Sequence, residues 1–134
     1  MRSNGVKAIL GYEIVEGMTV EEYDEWLWEV HAPDLLANPY IDRVVFDTVV
    51  RPINQTSAGT PITDDPISLF RIAELHFADH EAYEGWLRWF EENPVPIERS
   101  PFGRTDFRFY VLTDSVVAER GEDFTPPDWV TQGG

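Results

Sequence analysis

Glu74 and His76 stand two residues apart in a segment that the sequence predicts to be a β-strand. Because side chains alternate along a strand, both project from the same face, roughly 6 to 7 Å apart. A histidine takes up and releases protons near neutral pH, and a carboxylate among apolar neighbours has a raised pKa. The pair is therefore a candidate for acid/base chemistry. The alternative is that Glu74 pairs with a cation, Arg43, Arg71 or Arg108, or with a residue of a partner subunit across a dimer.

A second histidine, His31, follows Leu27 by four residues and borders the apolar stripe of a predicted helix, just before Pro33 ends it. There it can take part in chemistry or cap the last carbonyls of the helix, and the sequence leaves both roles open. Tyr12 and Tyr110 lie on the first and last predicted strands. A phenol there can orient a carbonyl or enol oxygen, or can simply be buried.

His76, His80 and Glu74 form a candidate two-histidine, one-carboxylate metal set. We predict no metal there, because His76 ends a strand and His80 begins the next helix, so their side chains need not converge. The sequence has no Gly-rich phosphate loop, no Ser-His-Asp order and no cysteine. These features predict chemistry without a cofactor.

Apolar periodicity predicts strands at about 6–15, 41–50, 67–77 and 106–115 and helices at about 20–36 and 80–92. The two predicted helices match each other at an offset of 60 residues, beginning with their caps, Thr19 and Asp79. Their apolar stripes obey the same offset: Tyr23, Trp26, Leu27 and Val30 in the first helix, and Tyr83, Trp86, Leu87 and Phe90 in the second. Thr19 with Glu22 also forms a capping box. The expected fold is α+β, a ferredoxin-like β-α-β-β-α-β with a four-stranded antiparallel sheet and both helices on one face.

Alternation along the strands predicts which side chains lie on the sheet face away from the helices, here called the open face. On the third strand, Ala73, Leu75 and Phe77 are expected beneath the helices, and Phe70, Ile72, Glu74 and His76 on the open face. The offset of 60 adds Leu10, Tyr12 and Ile14 to the open face and places Gly11 beneath a helix. An apolar face needs a cover, and an identical subunit is the simplest one, so we expect a homodimer.

Acidic residues outnumber basic ones 25 to 10, for a formal charge of -15, which disfavours nucleic acid and anionic lipid as partners. No stretch approaches the roughly 20 apolar residues of a membrane span, and no signal peptide is evident. Together with the lack of cysteine, this predicts a cytoplasmic protein. The length of 134 residues predicts one domain over 1–134, with a core at 6–115 and an acidic C-terminal tail at 116–134.

The segment Gly17–Leu36, GMTVEEYDEWLWEVHAPDLL, resembles EthD-like members of the dimeric α/β-barrel superfamily. The resemblance lies in a capped helix start after a Gly-containing turn, in an aromatic run through Trp26 and Trp28, and in the helix-ending His31-Ala32-Pro33. Residues 71–83, RIAELHFADHEAY, resemble the junction of the third strand and second helix across the superfamily.

The resemblance implies that two sheets pack face to face in a barrel-like homodimer, each subunit keeping a pocket for a small-molecule substrate between sheet and helices. Members of the superfamily include muconolactone isomerases, polyketide cyclases, cofactor-free monooxygenases, dehydratases and proteins without known activity, so the fold alone does not select a reaction. The loop at 51–66 and the tail after Asp114 depart from the family pattern.

We therefore expect a cofactor-independent acid/base enzyme that isomerises, cyclises or dehydrates a small cyclic or aromatic-derived compound. His31 and His76 would be the acid and the base, Glu74 would tune His76, and Tyr12 would hold a substrate oxygen. The predicted substrate-binding residues are Trp28, Phe70, Ile72, Arg108 and Tyr110. A non-catalytic EthD-like ligand-binding or accessory protein and a cofactor-free monooxygenase are the alternatives.

Overall fold

The computed structural model describes residues 2–130 and has a four-stranded antiparallel sheet with helices on one face. In chain order the elements are β1 (Arg2–Ile14), α1 (Val20–Trp26), a π-helical turn (Leu27–His31), α2 (Ala32–Ala37), β2 (Arg43–Thr48), β3 (Arg71–Phe77), α3 (His80–Glu92), a short 3-10 helix (Ile97–Arg99) and β4 (Thr105–Val117). The strands lie in the order β2-β3-β1-β4. The predicted α+β, ferredoxin-like fold is confirmed.

Element bounds differ from the predicted ones mainly at the ends of strands. β3 begins only at Arg71, after a long irregular segment, and β4 continues to Val117, into the predicted acidic tail. The last tail residues, 131–134, lie outside the described residues. No helix within residues 2–130 combines the length and apolarity that a membrane crossing requires.

Helices α1 and α3 begin where the sequence predicts their caps. At α1 the Glu22 N–H donates to Thr19 Oγ1 at 3.1 Å and the Thr19 N–H donates to Glu22 Oε1 at 3.1 Å, which completes the capping box. At α3 the Ala82 N–H donates to Asp79 Oδ1 at 2.8 Å. These bonds satisfy backbone N–H groups that every helix start leaves without an intrahelical partner.

The register between β1 and β3 corrects the predicted face of the first strand. Leu10 pairs with Ala73 and Tyr12 pairs with Arg71, and paired residues on neighbouring strands share a face. Leu10 and Tyr12 are therefore buried beneath the helices, and Ile14 packs against the same core. The prediction that these three residues lie on the open face is wrong.

The error arises from unequal connections between strands and helices. The link from β1 to α1 covers residues 15–19, whereas the link from β3 to α3 covers only residues 78–79. The two links differ by an odd number of residues, and an odd shift along a strand exchanges its two faces. The offset of 60 is correct for the helices, but on β1 it assigns each side chain to the opposite face of the sheet. Gly11 accordingly lies on the open face, where the Phe109 ring packs against its backbone.

On β3 itself the predicted alternation is confirmed. Ala73, Leu75 and Phe77 are buried beneath the helices, while Ile72, Glu74 and His76 are half-buried on the open face. Phe70, which precedes the strand, departs from this pattern. Its ring centroid lies 6.1 Å from that of Tyr23 in α1 and 6.4 Å from that of Tyr12, so Phe70 is on the helix side and its predicted open-face position is wrong.

Candidate functional site

A cavity of about 380 Å³ lies between the helix side of the sheet and the helices. Most of its wall is apolar, and the apolar lining comes from every layer of the fold: Leu10, Leu27, Leu35, Phe46, Ala73, Leu75, Trp86, Phe90, Pro94, Val95, Pro101 and Phe107. Apart from the Trp86 indole N–H, the polar groups of the lining are the imidazole of His31 and the hydroxyls of Tyr12, Tyr23, Thr105 and Tyr110. The pocket that the family resemblance implies is therefore present in the structure.

His31 is the one histidine at this cavity among the described residues. Its imidazole stacks on the Trp26 indole with ring centroids 4.6 Å apart and planes 15° apart. Burial lowers the pKa of His31 to about 4, although the Asp34 carboxylate opposes this shift. The imidazole is therefore neutral near neutral pH, with one nitrogen free to accept a proton or a hydrogen bond.

Two buried tyrosines at the cavity differ in their hydrogen bonding. The Tyr23 hydroxyl is hydrogen-bonded to Thr105 Oγ1 at 2.9 Å. The Tyr12 hydroxyl is buried without a hydrogen-bond partner in the described part of the chain. Burial raises the pKa of Tyr12, while nearby Tyr23 and Arg71 lower it without aligning for a hydrogen bond. A buried hydroxyl left unpaired costs about 1 to 3 kcal/mol, and here it borders a cavity in which a ligand oxygen can pair with it.

Arg71, at the start of β3, is a buried charge close to Tyr12. Its guanidinium donates to Asp24 Oδ1 at 2.7 Å and to Thr48 Oγ1 at 3.0 Å, and it lies 4.4 Å from the centre of the Phe70 ring. The sequence offered Arg71 as a partner for Glu74, but the ion pair joins β3 to α1 instead. Because Asp24 neutralises it, Arg71 does not make the cavity a site for anions.

The segment 94–101 closes one side of the cavity and is tied to the helices. The Trp26 indole N–H donates to the Arg99 carbonyl at 3.0 Å. The Arg99 guanidinium donates to both carboxylate oxygens of Asp34, at 3.0 and 2.7 Å. These bonds hold the wall next to His31 and explain why Asp34 faces Arg99 rather than bonding to the imidazole.

Glu74 and His76 lie on the other side of the sheet from this cavity. Glu74 Oε1 lies 3.2 Å from His76 Nε2, without hydrogen-bond alignment, and 3.6 Å from Lys7 Nζ. Hydrogen bonding with the Asp47 carboxyl lowers the pKa of Glu74, so the predicted rise is wrong. Burial, followed by the charges of Arg43 and Lys7, lowers the pKa of His76.

The sheet therefore separates His76 and Glu74 from His31 and Tyr12. One substrate in the cavity can contact His31 and Tyr12, but His76 cannot reach it from the open face. The predicted pairing of His31 and His76 as acid and base does not fit this geometry, because alternation along β3 directs His76 away from the helices.

The predicted substrate-binding residues are also divided. Tyr110 lines the cavity with 51% of its surface exposed, and desolvation of its hydroxyl raises its pKa to about 12. Ile72 is on the open face, and Arg108 is exposed at a β4 irregularity, where it bonds to Asp106 at 2.9 Å. Trp28 is 59% exposed and meets Phe46 edge-on, and Phe70 packs beside the cavity without lining it. Of these five, only Tyr110 has a position from which it contacts a ligand in the cavity.

Sequence reasoning missed two polar residues of the site. The sequence indicates Tyr23 only as a member of the apolar helix stripe. Thr105 is the first residue of β4, and a polar residue at that position has no sequence feature that marks it as part of a site. The i, i+3, i+4 spacing does place Tyr23 in the core, but its bond to Thr105 joins residues 82 positions apart. Such a contact follows only from the tertiary fold.

The sheet order, the helices on one face and the cavity between them define a ferredoxin-like α+β protein with a largely apolar cavity between sheet and helices. No family model and no curated protein matches the sequence. Solved structures do resemble this chain. An ethyl tert-butyl ether D (EthD) family protein from Bacillus halodurans C-125 superposes with a TM-score of 0.56 at 18% sequence identity, and the match covers 83% of this chain and 98% of that protein. At3g17210 from Arabidopsis thaliana has a TM-score of 0.55 and 14% identity, over 87% and 98%. The chain has an EthD-like fold.

Proposed function

We propose that this chain is a cofactor-independent enzyme that transfers protons on a small cyclic or aromatic-derived compound bound in the cavity, in an isomerisation, cyclisation or dehydration. One observation carries the proposal: a neutral, half-buried imidazole, that of His31, and an unpartnered buried hydroxyl, that of Tyr12, line the same largely apolar cavity. A base and an oxygen-binding donor that line one largely apolar cavity are the groups that proton abstraction next to a carbonyl requires.

The chemistry of the lining restricts the ligand. None of the polar lining groups is ionised near neutral pH, since desolvation keeps His31 neutral and the phenols, Thr105 and the Trp86 indole are uncharged. The chain carries a formal charge of -15, which repels anions. A cavity of about 380 Å³ falls in the lower part of the usual range for small-molecule sites. We infer an uncharged compound of one to three rings with a carbonyl or hydroxyl oxygen.

A proton transfer in this site balances without a cofactor. His31 accepts a proton from a carbon next to the carbonyl, and the C–H electron pair shifts to give an enolate whose oxygen accepts the Tyr12 O–H hydrogen bond. The imidazolium then returns the proton to a different carbon or to a leaving hydroxyl. Because the pKa of His31 is low, the imidazolium is a strong acid and this second step is favoured.

Filling the cavity tests the ligand site. Ala73 lines the cavity, so Ala73→Leu is expected to weaken binding of the uncharged probes naphthol and α-tetralone at least about tenfold, because the leucine side chain occupies their space. Calorimetric titration measures this, with exposed Ala78→Leu as the matched control. Naphthoate, which has the same ring shape and a negative charge, is expected to bind wild type more weakly than naphthol. Equal binding by Ala73→Leu and wild type would refute this cavity as the site.

A second candidate is a ligand-binding protein without turnover. It is favoured by the largely apolar lining and by the low pKa of His31, which makes the imidazole a weak base. It shares the binding predictions above but predicts no catalysed proton exchange on a bound ketone. The exchange rate of a bound probe therefore separates the two functions.

We also infer that two copies pair through the open face. Apolar Ile9, Val45 and Ile72 lie there, with charges of both signs from Lys7 and Glu74 among them. A chain with a charge of -15 repels its own copies, so association favours a face whose charges nearly balance.

Ile9→Glu on the open face is expected to shift the protein from dimer to monomer, because pairing would bury the new carboxylate next to Glu74, its neighbour across the strands. Leu36→Glu is the matched control, since it adds the same charge on the exposed outer side of α2. Sedimentation velocity measures the mass. A monomeric wild type, or a monomeric Leu36→Glu, would contradict pairing through this face.

A further inference from the structure

Residues 20–37 form one continuous helical segment whose middle turn is wider than an α-helical turn. Trp26, His31 and Ala32 all keep right-handed helical backbone angles, so the segment does not break there. The Ala32 N–H, however, donates to the Leu27 carbonyl, five residues back instead of four. Such a π-turn accommodates an extra residue within a helix, and π-turns are frequent at functional sites.

The wide turn comes directly before Pro33. A proline inside an α-helix lacks the N–H for its own hydrogen bond and clashes with the carbonyl four residues earlier, at a cost of about 3 kcal/mol. Here Pro33 falls in the first turn of α2, where the missing N–H and the fixed φ are tolerated. The π-turn thus lets the segment continue through Pro33 without the penalty.

The same turn determines which ring the imidazole contacts. In a regular α-helix, residues five apart are about 140° apart around the axis, so Trp26 and His31 would occupy different sides of the helix. In the structure their rings stack at 4.6 Å, and His31 lines the cavity. An extra residue between them accounts for this shared side.

We propose that the π-turn, fixed by Pro33, is what stacks His31 on Trp26 and so sets the orientation of the imidazole at the cavity, and that Pro33 is a positioning residue for His31. The functional importance of this position rests on the proposed function, in which His31 carries the proton. The placement itself is a property of the free protein. Stacking on Trp26 fixes the plane of the imidazole, and neither ring nitrogen bonds to any residue in the described range, so both are available to a ligand.

Pro33→Ala tests the positioning. Alanine restores the N–H and removes the ring clash, so the turn is expected to relax to an α-helix and carry His31 away from Trp26. In proton NMR the His31 ring signals, assigned with His31→Gln, are expected to lose their ring-current shift from Trp26. The pKa of His31 is expected to rise from about 4 towards 6.5. Pro39→Ala is the matched control, because exposed Pro39 lies beyond α2.

Unfolding would also change the His31 signals, so circular dichroism is used to verify that the helices persist. We expect them to persist, because alanine is the most favourable helix residue. A His31 signal that keeps both its ring-current shift and its low pKa in Pro33→Ala would overturn the proposal. The same changes appearing in Pro39→Ala would also overturn it. If Pro33→Ala moves His31 as expected while wild type exchanges no proton on any probe, the positioning stands and the proposed catalysis fails.

Discussion

His31→Gln is expected to lower the rate of proton transfer by about 10² to 10⁴, the usual contribution of one positioned acid/base group. Glutamine has a similar length and a hydrogen-bonding amide, but it cannot carry a proton from one carbon to another. The rate is measured as deuterium uptake next to the carbonyl of α-tetralone in heavy water, with NMR detection. Because this readout is the proposed elementary step, it needs no knowledge of the natural substrate.

Two further histidine variants sharpen this result. His80→Gln, at the exposed start of α3, is the matched control and is expected to keep the wild-type rate. His76→Gln separates the two faces of the sheet, since His76 lies across the sheet from the cavity. Deuterium uptake that survives in His31→Gln and disappears in His76→Gln would move the chemistry to the open face and contradict the proposed function.

The same His31 variant has a second readout in the pH dependence of stability. Burial lowers the pKa of His31 from 6.5 to about 4 in the folded state. Between these values the unfolded chain binds a proton that the folded chain does not, so the free energy of unfolding falls as the pH falls through this window. The loss from His31 is at most about 3 kcal/mol, by the usual conversion of pKa into free energy. In urea unfolding, the free energy of unfolding of His31→Gln should fall less on acidification than that of wild type. An equal fall would show that His31 is not buried as the neutral form.

Local rules account for what the sequence predicted well. The caps at Thr19 and Asp79 involve residues only three positions apart, and the apolar stripes of α1 and α3 follow from helix periodicity alone. The alternation on β3 was also correct, because Phe77 joins α3 through a link of only two residues. Each of these signals lies within one element or its immediate junction.

The site was less predictable because it depends on relations between elements. The face of Tyr12 depends on the length of the link between β1 and α1, and the partner of Arg71 is Asp24, 47 residues away. Glu74 and His76 were placed together correctly, but on the side of the sheet that the cavity does not occupy. The helix spacing from Leu27 places His31 at the apolar border, but its stacking on Trp26 accompanies a π-turn, for which the only sequence signal is a proline two residues later.

Tyr12→Phe is expected to change stability and ligand binding in opposite directions. Phenylalanine removes a buried hydroxyl that has no hydrogen-bond partner, so the free energy of unfolding should rise by about 1 kcal/mol. The same change removes the donor for the ligand oxygen, and the affinity for α-tetralone should fall about tenfold, which corresponds to about 1.4 kcal/mol. Urea unfolding and calorimetric titration measure the two effects on one preparation.

Tyr23→Phe is the matched control, because the Tyr23 hydroxyl borders the same cavity but is already bonded to Thr105. Its loss should lower the free energy of unfolding by about 1 kcal/mol, since it breaks a hydrogen bond and leaves Thr105 Oγ1 without that partner. Under the proposed function the ligand oxygen pairs with the Tyr12 hydroxyl, which accounts for a buried group that is otherwise left unpaired. If Tyr12→Phe destabilised the protein as Tyr23→Phe does, or bound α-tetralone as tightly as wild type, Tyr12 would be a structural tyrosine and the oxygen-binding role would have to be assigned to Tyr110.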